Sequence, residues 1–456
     1  MADQTTSKPE NKMGYMPINK LLMTMSLPMM ASMLVQALYN VVDSIFVAKI
    51  NEDALTAVSL AFPLQSIMIS VAIGTAVGIN ALLSRHLGEK DFEKANQVAE
   101  NGIFLAFVSF LVFAVVGLTL VKPFYATQGA SQIIQQYGVD YLTICCTVSV
   151  GIFLQATFER ILQATGRTIY TMYTQGAGAI INLILDPLLI FGIGPFPVMG
   201  VKGAATATVI GQICAAILAI YFNHTKNHDV SLSLKTFRPT LSIIGGIYAI
   251  GVPSMVVQGI GSIMVYGLNK ILIAFNSTAV AVFGVYFKLQ SFVFMPVFGL
   301  NSGMVPIIAY NYGAGNKERV IKTHKVAVFY AVAIMFAGFL IFQIMPKQLL
   351  LLFSASDSMI AMGVPALRLI STSFLVAGYA IVTGSLFQAL GDAVYSMINS
   401  ICRQLVVLLP AAYLLSLTGN VNAVWLAFPI AEVASLVLTT VFLIRIRKRK
   451  INHIGE

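Results

Sequence analysis

The stretch PMMASMLVQALYNVVD, from Pro28 to Asp43, decides the fold class of this chain. It lies inside an apolar run long enough to cross a bilayer as a helix, for which about 20 residues are needed. Gln36, Asn40 and Asp43 follow one another at spacings of four and three residues, so they share one helix face. A carboxylate near the bilayer centre costs roughly 3 kcal/mol on insertion scales and usually serves a function. The stretch therefore predicts a membrane helix with a functional polar stripe, kinked near Pro28.

Composition extends this prediction to the whole chain. Of its 456 residues, 57% are hydrophobic and 10% are charged, whereas a soluble domain has about 25% charged residues. Apolar runs of membrane-spanning length recur throughout the sequence. We therefore predict an all-α polytopic membrane protein with twelve transmembrane helices, near 21–48, 55–84, 98–121, 134–159, 168–191, 203–222, 243–275, 278–311, 321–345, 360–388, 394–416 and 421–444.

The Lys and Arg residues that we assign to loops and tails lie mostly on one side of the membrane. That side carries 21 of them, Arg403 included, and the other carries only Lys49, Lys122, Lys202 and Lys347. Because Lys and Arg collect in cytoplasmic loops, we expect both termini to be cytoplasmic. Residues 1–20 lack the apolar core and cleavage site of a signal peptide. We interpret them as a cytoplasmic tail, and 447–456 as a basic C-terminal tail.

An internal repeat relates the two halves of the chain at an offset of 225 residues, which brings Pro28 onto Pro253. The same offset relates three glycines of each half: Gly74 to Gly299, Gly78 to Gly303 and Gly88 to Gly313. Six spans per repeat give both halves the same orientation, so we predict two lobes related by an axis along the membrane normal. We place them at 21–222 and 243–446, joined by a cytoplasmic linker at 223–242, with the substrate site between them near mid-membrane.

The repeat preserves the spans but loses the acidic residues. Asp43, Glu159 and Asp186 of the first half correspond to Leu268, Gly384 and Ala411 of the second. In the sixth span of each half the register slips by about five residues, so Gln212 corresponds to Glu432. The other charges within the second-half spans are basic: Lys270, Lys288 and Arg368. We predict that Lys288 lies near mid-depth and faces the substrate cavity; the alternative is that its ammonium extends to an interface.

Four residues of the first half are candidates for ion binding: Asp43, Glu159, Asn182 and Asp186. Asn182 and Asp186 are four residues apart in the fifth span and lie one above the other on one face. Pro187 follows directly and loosens the helix there. In the sixth span, Thr206 and Thr208 add hydroxyls that can bridge to a carboxylate.

Each candidate also has a structural interpretation. Asp43 and Asp186 can be satisfied by donors on neighbouring helices and have no role in transport. Glu159 can form a solvated pair with Arg160 at the interface. Asn182 can simply connect two helices by a hydrogen bond.

Residue types exclude several classes of function. No His or Cys pair has the spacing of metal ligands, and we find no nucleophile–base set, so we expect neither an enzyme nor a resident metal. The net charge of +10 lies at helix ends rather than in a nucleic-acid-binding patch, so we expect no nucleic-acid partner. The many Met, Phe and Tyr side chains suit the binding of varied ligands, although they also suit ordinary helix packing.

Five motifs in order along the chain resemble those of the multidrug and toxic compound extrusion (MATE) transporters, most closely the bacterial MepA-like and DinF-like branches. The resemblance covers about 18–446. The motifs are SLPMM opening the first span, SRHLGEKD at 84–91, NLILDP at 182–187, GVKGAATAT at 200–208 and PIIAYNYGAGN at 306–316.

The resemblance implies a fold, a location and an activity. The two six-helix lobes would form a V in a bacterial plasma (inner) membrane, and the protein would act as a monomer. It would export small cationic amphipathic drugs or dyes in exchange for H⁺ or Na⁺, with no cofactor beyond that coupling ion. The first-span Asp and the fifth-span Asn-x-x-x-Asp bind the ion in related members, which here are Asp43, Asn182 and Asp186. Glu159 matches an acidic position of the MepA-like branch.

Our leading hypothesis is therefore a multidrug antiporter that works by alternating access. Asp43, Asn182, Asp186 and Thr208 would form the cation-coupling site, and Gln36, Asn40, Glu159 and Lys288 would line the substrate cavity. Pro28 would be the hinge, and an ion that drives transport must bind the two conformers with different affinity. The alternative hypothesis is a lipid-linked oligosaccharide flippase of the same wider superfamily.

Overall fold

The computed structural model describes residues 11–233 and 237–455, and within these ranges the regular structure is helical. The first lobe consists of α1 (Lys12–Tyr15), α2 (Ile18–Ala48), α3 (Glu52–Gly88), α4 (Phe92–Thr119), α5 (Val121–Ala126), α6 (Gln132–Thr147), α7 (Val150–Ala164), α8 (Thr168–Phe191) and α9 (Val201–Lys226). The second lobe consists of α10 (Leu241–Ile273), α11 (Ser277–Gly313), α12 (Lys317–Ile344), α13 (Pro346–Leu351), α14 (Asp357–Ser371), α15 (Phe374–Ala389), α16 (Ala393–Ile401), a π-helical segment (Cys402–Leu408), α17 (Leu409–Ser416), α18 (Val421–Trp425), α19 (Ala427–Arg449) and a 3₁₀ turn (Ile451–His453).

The number of membrane spans agrees with the sequence. Ten helices of the described chain are long and apolar enough to cross a membrane, and the number reaches twelve when two bent pairs each count as one span. These pairs are α6 with α7, bent by 45°, and α14 with α15, bent by 49°. The predicted polytopic all-α fold is confirmed. The helix α2 continues through Pro28 without a break.

The repeat includes the residues that cap the N-termini of the helices. Asn51 caps α3 by accepting a hydrogen bond from the amide of Ala54 at 2.7 Å, and Asn276, 225 residues later, caps α11 in the same way at 2.8 Å. Asp91 and Asn316, again separated by 225, cap α4 and α12. Because such a cap satisfies amides that have no partner within the helix, the two lobes begin equivalent helices at equivalent positions.

The repeated glycines lie at close contacts between the two lobes. A Cβ added to Gly88 would lie 1.9 Å from the carbonyl oxygen of Tyr310, and one added to Gly313 would lie 2.1 Å from that of Arg85. A Cβ added to Gly78 would likewise lie 2.2 Å from the carbonyl oxygen of Ile247. Only glycine allows two backbones to approach this closely. We call the contact formed by Gly74, Gly78, Gly88, Gly299, Gly303 and Gly313 the glycine seam.

The glycine seam lies toward the end of the helix bundle where both ends of the described chain are found, which we call the terminal face. The other end, where α2 stops at Ala48 and α3 starts at Glu52, is the opposite face. Residues 11–16 connect the lobes across the terminal face. Asn11 donates to the carbonyl of Thr165 at 3.0 Å, and Arg319 donates to that of Met13 at 2.9 Å. Met13 is fully buried, so this part of the predicted N-terminal tail is docked between the lobes.

Candidate functional site

A cavity of about 720 Å³ opens inside the first lobe. The described residues that line it all belong to 32–212, so this cavity lies within one lobe, whereas the sequence had suggested a substrate site between the two. Its lining extends to Val47 and Leu55, which lie beside the ends of α2 and α3 at the opposite face. Phe62, another lining residue, is 58% exposed. The cavity is therefore open toward the opposite face, whereas the glycine seam closes the terminal face.

Asp43 and Asp186 form the acidic pair of this site. Asp43 lines the cavity from α2, and Asp186 is completely buried behind it on α8. The two carboxyl groups lie within hydrogen-bonding reach of each other. One oxygen of each, Oδ1, is buried and has no hydrogen-bond partner. Two adjacent carboxylates repel, and a buried unpaired charge is unfavourable, so this pair needs a proton or a cation between its oxygens.

Asn182 fixes the Asp186 side of the pair. In the amide orientation that satisfies both of its ends, its nitrogen donates to Asp186 Oδ2 at 2.9 Å. Its oxygen then accepts from the amide and the hydroxyl of Thr208, at 2.9 and 3.2 Å. The predicted residues Asn182, Asp186 and Thr208 are thus brought together. Tyr39, which the sequence analysis missed, places its hydroxyl within hydrogen-bonding reach of Thr208.

Glu159 is a second acidic centre, deeper in the cavity. It is 4% exposed and accepts hydrogen bonds from Gln155 at 3.0 Å, Thr174 at 2.8 Å and Gln175 at 2.7 Å. The side chain of Gln175 in turn accepts a hydrogen bond from Ser32 of α2. The spacing from Gln155 to Glu159 and from Gln175 to Asn182 is helical, and this was the signal that could have identified the two glutamines.

The alternative that Glu159 forms a solvated pair with Arg160 is wrong. Glu159 is buried, and Arg160 donates to Gln163 at 2.9 Å. The predicted role of Thr206 is also wrong, because its hydroxyl donates to the carbonyl of Lys202 within its own helix at 2.7 Å. Thr208 alone of the two threonines reaches the acidic site.

The remaining predicted cavity residues separate into two groups. Gln36 and Asn40 line the cavity from α2, as expected from the face they share with Asp43. Lys288 does not line it; the residue is exposed on α11 of the second lobe. Its predicted contribution to this cavity is therefore absent.

The second lobe has apolar side chains where the first lobe has its acidic pair. Leu268 occupies the position equivalent to Asp43 and is fully buried. Phe428 occupies the position equivalent to Thr208 and packs against Tyr286, with ring centroids 5.7 Å apart.

Arg403 and Glu432 form a largely buried ion pair in the second lobe. The prediction that Arg403 lies in a loop is wrong, because it belongs to the π-helical segment in the middle of the eleventh span. Its guanidinium donates to Glu432 at 2.6 Å, and both side chains are largely buried. The second lobe thus contains an ion pair where the first contains an excess of acid. Among the described residues, no group of three or more His, Cys, Asp or Glu could hold a metal ion.

Comparison with known proteins agrees with this architecture. The family model described as MatE matches residues 28–188 and 250–414. The multidrug export protein MepA of Staphylococcus haemolyticus is 30% identical over 437 residues, which cover 95% of this chain and 94% of that protein. A FAD transporter of Shewanella oneidensis is 26% identical over 419 residues, covering 91% and 92% of the two chains. The solved outward-facing structure of a multidrug resistance MATE family transporter of the MOP superfamily is 25% identical, with a TM-score of 0.92 over 98% of this chain and 99% of that one.

Fold and site together define a multi-pass membrane transporter, not an enzyme, with an acidic cavity in one of two repeated lobes. The chain belongs to the MATE family of transporters.

Proposed function

We propose that this protein is a multidrug exporter that exchanges cationic amphipathic compounds for protons. The observation that carries the proposal is the pair formed by Asp43 and Asp186, whose neighbouring carboxyl groups each have a buried oxygen without a partner. A proton or a cationic substrate can satisfy this pair, but both cannot do so fully at once. Competition of this kind is what couples the movement of one to the movement of the other.

The shape and chemistry of the cavity suit a cationic amphipathic substrate. Its volume of about 720 Å³ is within the range of about 300–1,000 Å³ found for small-molecule sites. Phe62 and Met68 provide apolar surface, and Asp43 and Glu159 provide negative charge. Arg160 is the one basic residue among the lining residues. The names of the MepA relatives agree with such substrates.

A proton fits the pair better than Na⁺ does. A hard cation needs several oxygen ligands, whereas the buried oxygens without a partner at this site are two, Oδ1 of Asp43 and Oδ1 of Asp186. The oxygen of Asn182 is already occupied by Thr208, and the second oxygen of Asp186 by Asn182. One proton shared between Asp43 and Asp186 requires no further ligand, so we assign the coupling ion as H⁺ and keep Na⁺ as the outcome to be excluded.

In this proposal, the structure corresponds to one of the two states that alternating access requires. The cavity is open at the opposite face, and the glycine seam and residues 11–16 close the terminal face. Since Lys and Arg concentrate at the terminal face, we assign that face to the cytoplasm of a bacterial inner membrane. Substrate would then leave from the state described, and proton binding at Asp43 and Asp186 would favour the return to the state open to the cytoplasm.

An anionic substrate is the second candidate, since one relative is a FAD transporter. The acids Asp43 and Glu159 in the lining, with Asp186 directly behind it, would repel a pyrophosphate group. The same argument opposes the flippase hypothesis, because Arg160 is the single basic group available there.

The test is dye transport into everted membrane vesicles under an imposed pH gradient, or under an imposed Na⁺ gradient without a pH gradient. We expect accumulation of a cationic dye with the pH gradient only, and its loss in Asp43→Asn at equal protein levels. Transport driven only by Na⁺ would overturn the choice of ion. Competition by FAD, with no competition by organic cations, would overturn the choice of substrate.

A further inference from the structure

A second cavity, of about 740 Å³, lies at the terminal face on the outer side of the first lobe, away from the transport site. Its roof is the linker between the lobes, of which the structure describes 227–233 and 237–240; we call these residues the strap. Its walls are apolar side chains of three membrane helices, among them Phe107 of α4, Phe158 of α7 and Ile220 of α9. Its polar end is formed by Asn227 and His228 of the strap together with His224.

The strap is fixed to the first lobe along its length. Side chains of α4 accept hydrogen bonds from its backbone: Asn96 from Ser231 at 2.8 Å, and Asn101 from Thr240 at 3.0 Å. Arg167, at the start of α8, forms an ion pair with Asp229. The cavity beneath the strap is therefore a defined feature of the fold.

Asn227 points to a ligand. It is 4% exposed, and its amide nitrogen donates to Asn223 at 3.1 Å. Its oxygen, Oδ1, is buried and has no hydrogen-bond partner. An unsatisfied buried acceptor is unfavourable, so a hydrogen-bond donor at Asn227 Oδ1 would be stabilising. Asn227 itself lines the cavity.

The depth of the cavity matches a lipid. Phe107 lies 15 residues into α4, about 22 Å from the terminal end of that helix at the rise of an α-helix. One leaflet of hydrocarbon is about 15 Å deep. Phe107 and Ile220 are 47% and 38% exposed on the outer surface of the lobe, so the apolar walls face the bilayer. An acyl chain can lie along these walls while its headgroup reaches the strap.

We propose that this cavity is a binding site for a phospholipid of the terminal-face leaflet, with a headgroup that carries hydrogen-bond donors, such as phosphatidylethanolamine. Its ammonium donates to Asn227 Oδ1, and its phosphate accepts from His224 or His228. A trimethylated headgroup has the same charge but no N–H donor, so phosphatidylcholine cannot satisfy Asn227. The site selects lipids by this one contact.

The chain is well suited to a fluorescence test, because Trp425 is its only tryptophan and is fully buried in the second lobe. Phe107→Trp places a reporter in the cavity wall. Ile444→Trp is the matched control: Ile444 is 52% exposed, five residues before the end of α19, much as Ile220 lies six residues before the end of α9. Quenching is titrated in nanodiscs with brominated phosphatidylethanolamine and phosphatidylcholine that have identical chains.

We expect the Phe107→Trp reporter to bind phosphatidylethanolamine roughly tenfold more tightly than phosphatidylcholine, as a hydrogen bond from a charged donor would give, and the Ile444→Trp reporter to show no preference. Adding Asn227→Leu should abolish the preference. Equal affinities at Phe107→Trp, the same preference at Ile444→Trp, or a preference that persists in Asn227→Leu would each overturn the proposal. The comparison of the two reporters needs no change at Asn227, so it decides the question even if Asn227→Leu fails to fold.

Discussion

The two lobes share their backbone design and differ in their interiors. Asn51 and Asn276 cap equivalent helices, and the glycine seam uses glycines that recur at the same offset. Inside, however, Asp43 and Thr208 of the first lobe correspond in the repeat to Leu268 and Phe428 of the second. The repeat thus preserves what builds and joins the lobes, while the polar site survives in one lobe only. In the proposed mechanism, ion coupling therefore uses the first lobe, and the second serves as its partner in the conformational change.

The largest effect should follow from removing the acidic pair. Asp43→Asn leaves an amide that cannot take part in proton exchange, so we expect proton-driven dye export to fall by about 5- to 150-fold, the range of typical coupling free energies. Asp186→Asn should have a similar effect, because the two carboxyls act together. Export is measured in everted vesicles at matched protein levels. Full activity of either variant would show that the pair is not the coupling site.

Glu159→Gln should have the next largest effect. The variant keeps the shape of the side chain but removes the charge that Thr174 and Gln175 stabilise. We expect the affinity for cationic dyes to fall by about tenfold, in line with hydrogen bonds to charged groups, while neutral compounds are little affected. Binding titrations with a cationic and a neutral dye on purified protein distinguish the two. An equal loss for both dyes would indicate a general change of structure instead.

The glycine seam offers a way to change the shared part of the lobes. Gly78→Val would force its side chain against the backbone of Ile247. Overpacking of this kind destabilises the packed state by roughly 1–3 kcal/mol. We expect a shift toward the state open at the terminal face, measured as faster labelling of a cysteine placed beside the seam. Gly284→Val is the matched control, since a Cβ at Gly284 meets nothing within 4 Å. Identical labelling in both variants would contradict closure by the seam.

Glu432→Gln should affect stability more than transport. Glu432 pairs with Arg403 inside the second lobe, and breaking a buried pair from one side destabilises a protein by about 3–5 kcal/mol. We expect a lower melting temperature but dye export within about twofold of wild type per molecule inserted, far less than the loss in Asp186→Asn. Equal losses of transport in the two variants would show that the second lobe also carries ions.

Lys288→Met should have the smallest effect. The sequence alone predicts that this charge tunes the affinity for cations, but Lys288 is exposed and does not line the cavity. We therefore expect affinities for cationic and neutral dyes to change by less than about twofold, as for surface substitutions in general. A selective gain in affinity for cationic dyes would show that Lys288 influences substrate binding.

Much of the fold could be predicted from the sequence, because membrane helices are specified by apolar length and the repeat by identical residues at one offset. The grouping of Asp43, Asn182, Asp186 and Thr208 was also predictable, from helical spacing and family motifs. The position of the cavity inside one lobe was not, since the pattern that identifies a repeat does not indicate which lobe is filled by aromatic side chains. Arg403 lies inside the predicted span 394–416 but was counted with the loop residues, because a charge within a span is unfavourable until its partner, Glu432, is known.

Proton release on substrate binding tests the central claim most directly. Purified protein in weakly buffered solution is mixed with a cationic dye at a pH where the acidic pair is protonated, and the released protons are counted with a pH indicator against the dye bound. We predict about one proton released per dye by wild type, since the pair shares a single proton, and none by Asp43→Asn. Equal proton release by wild type and Asp43→Asn, at equal amounts of bound dye, would contradict the assignment of coupling to this pair.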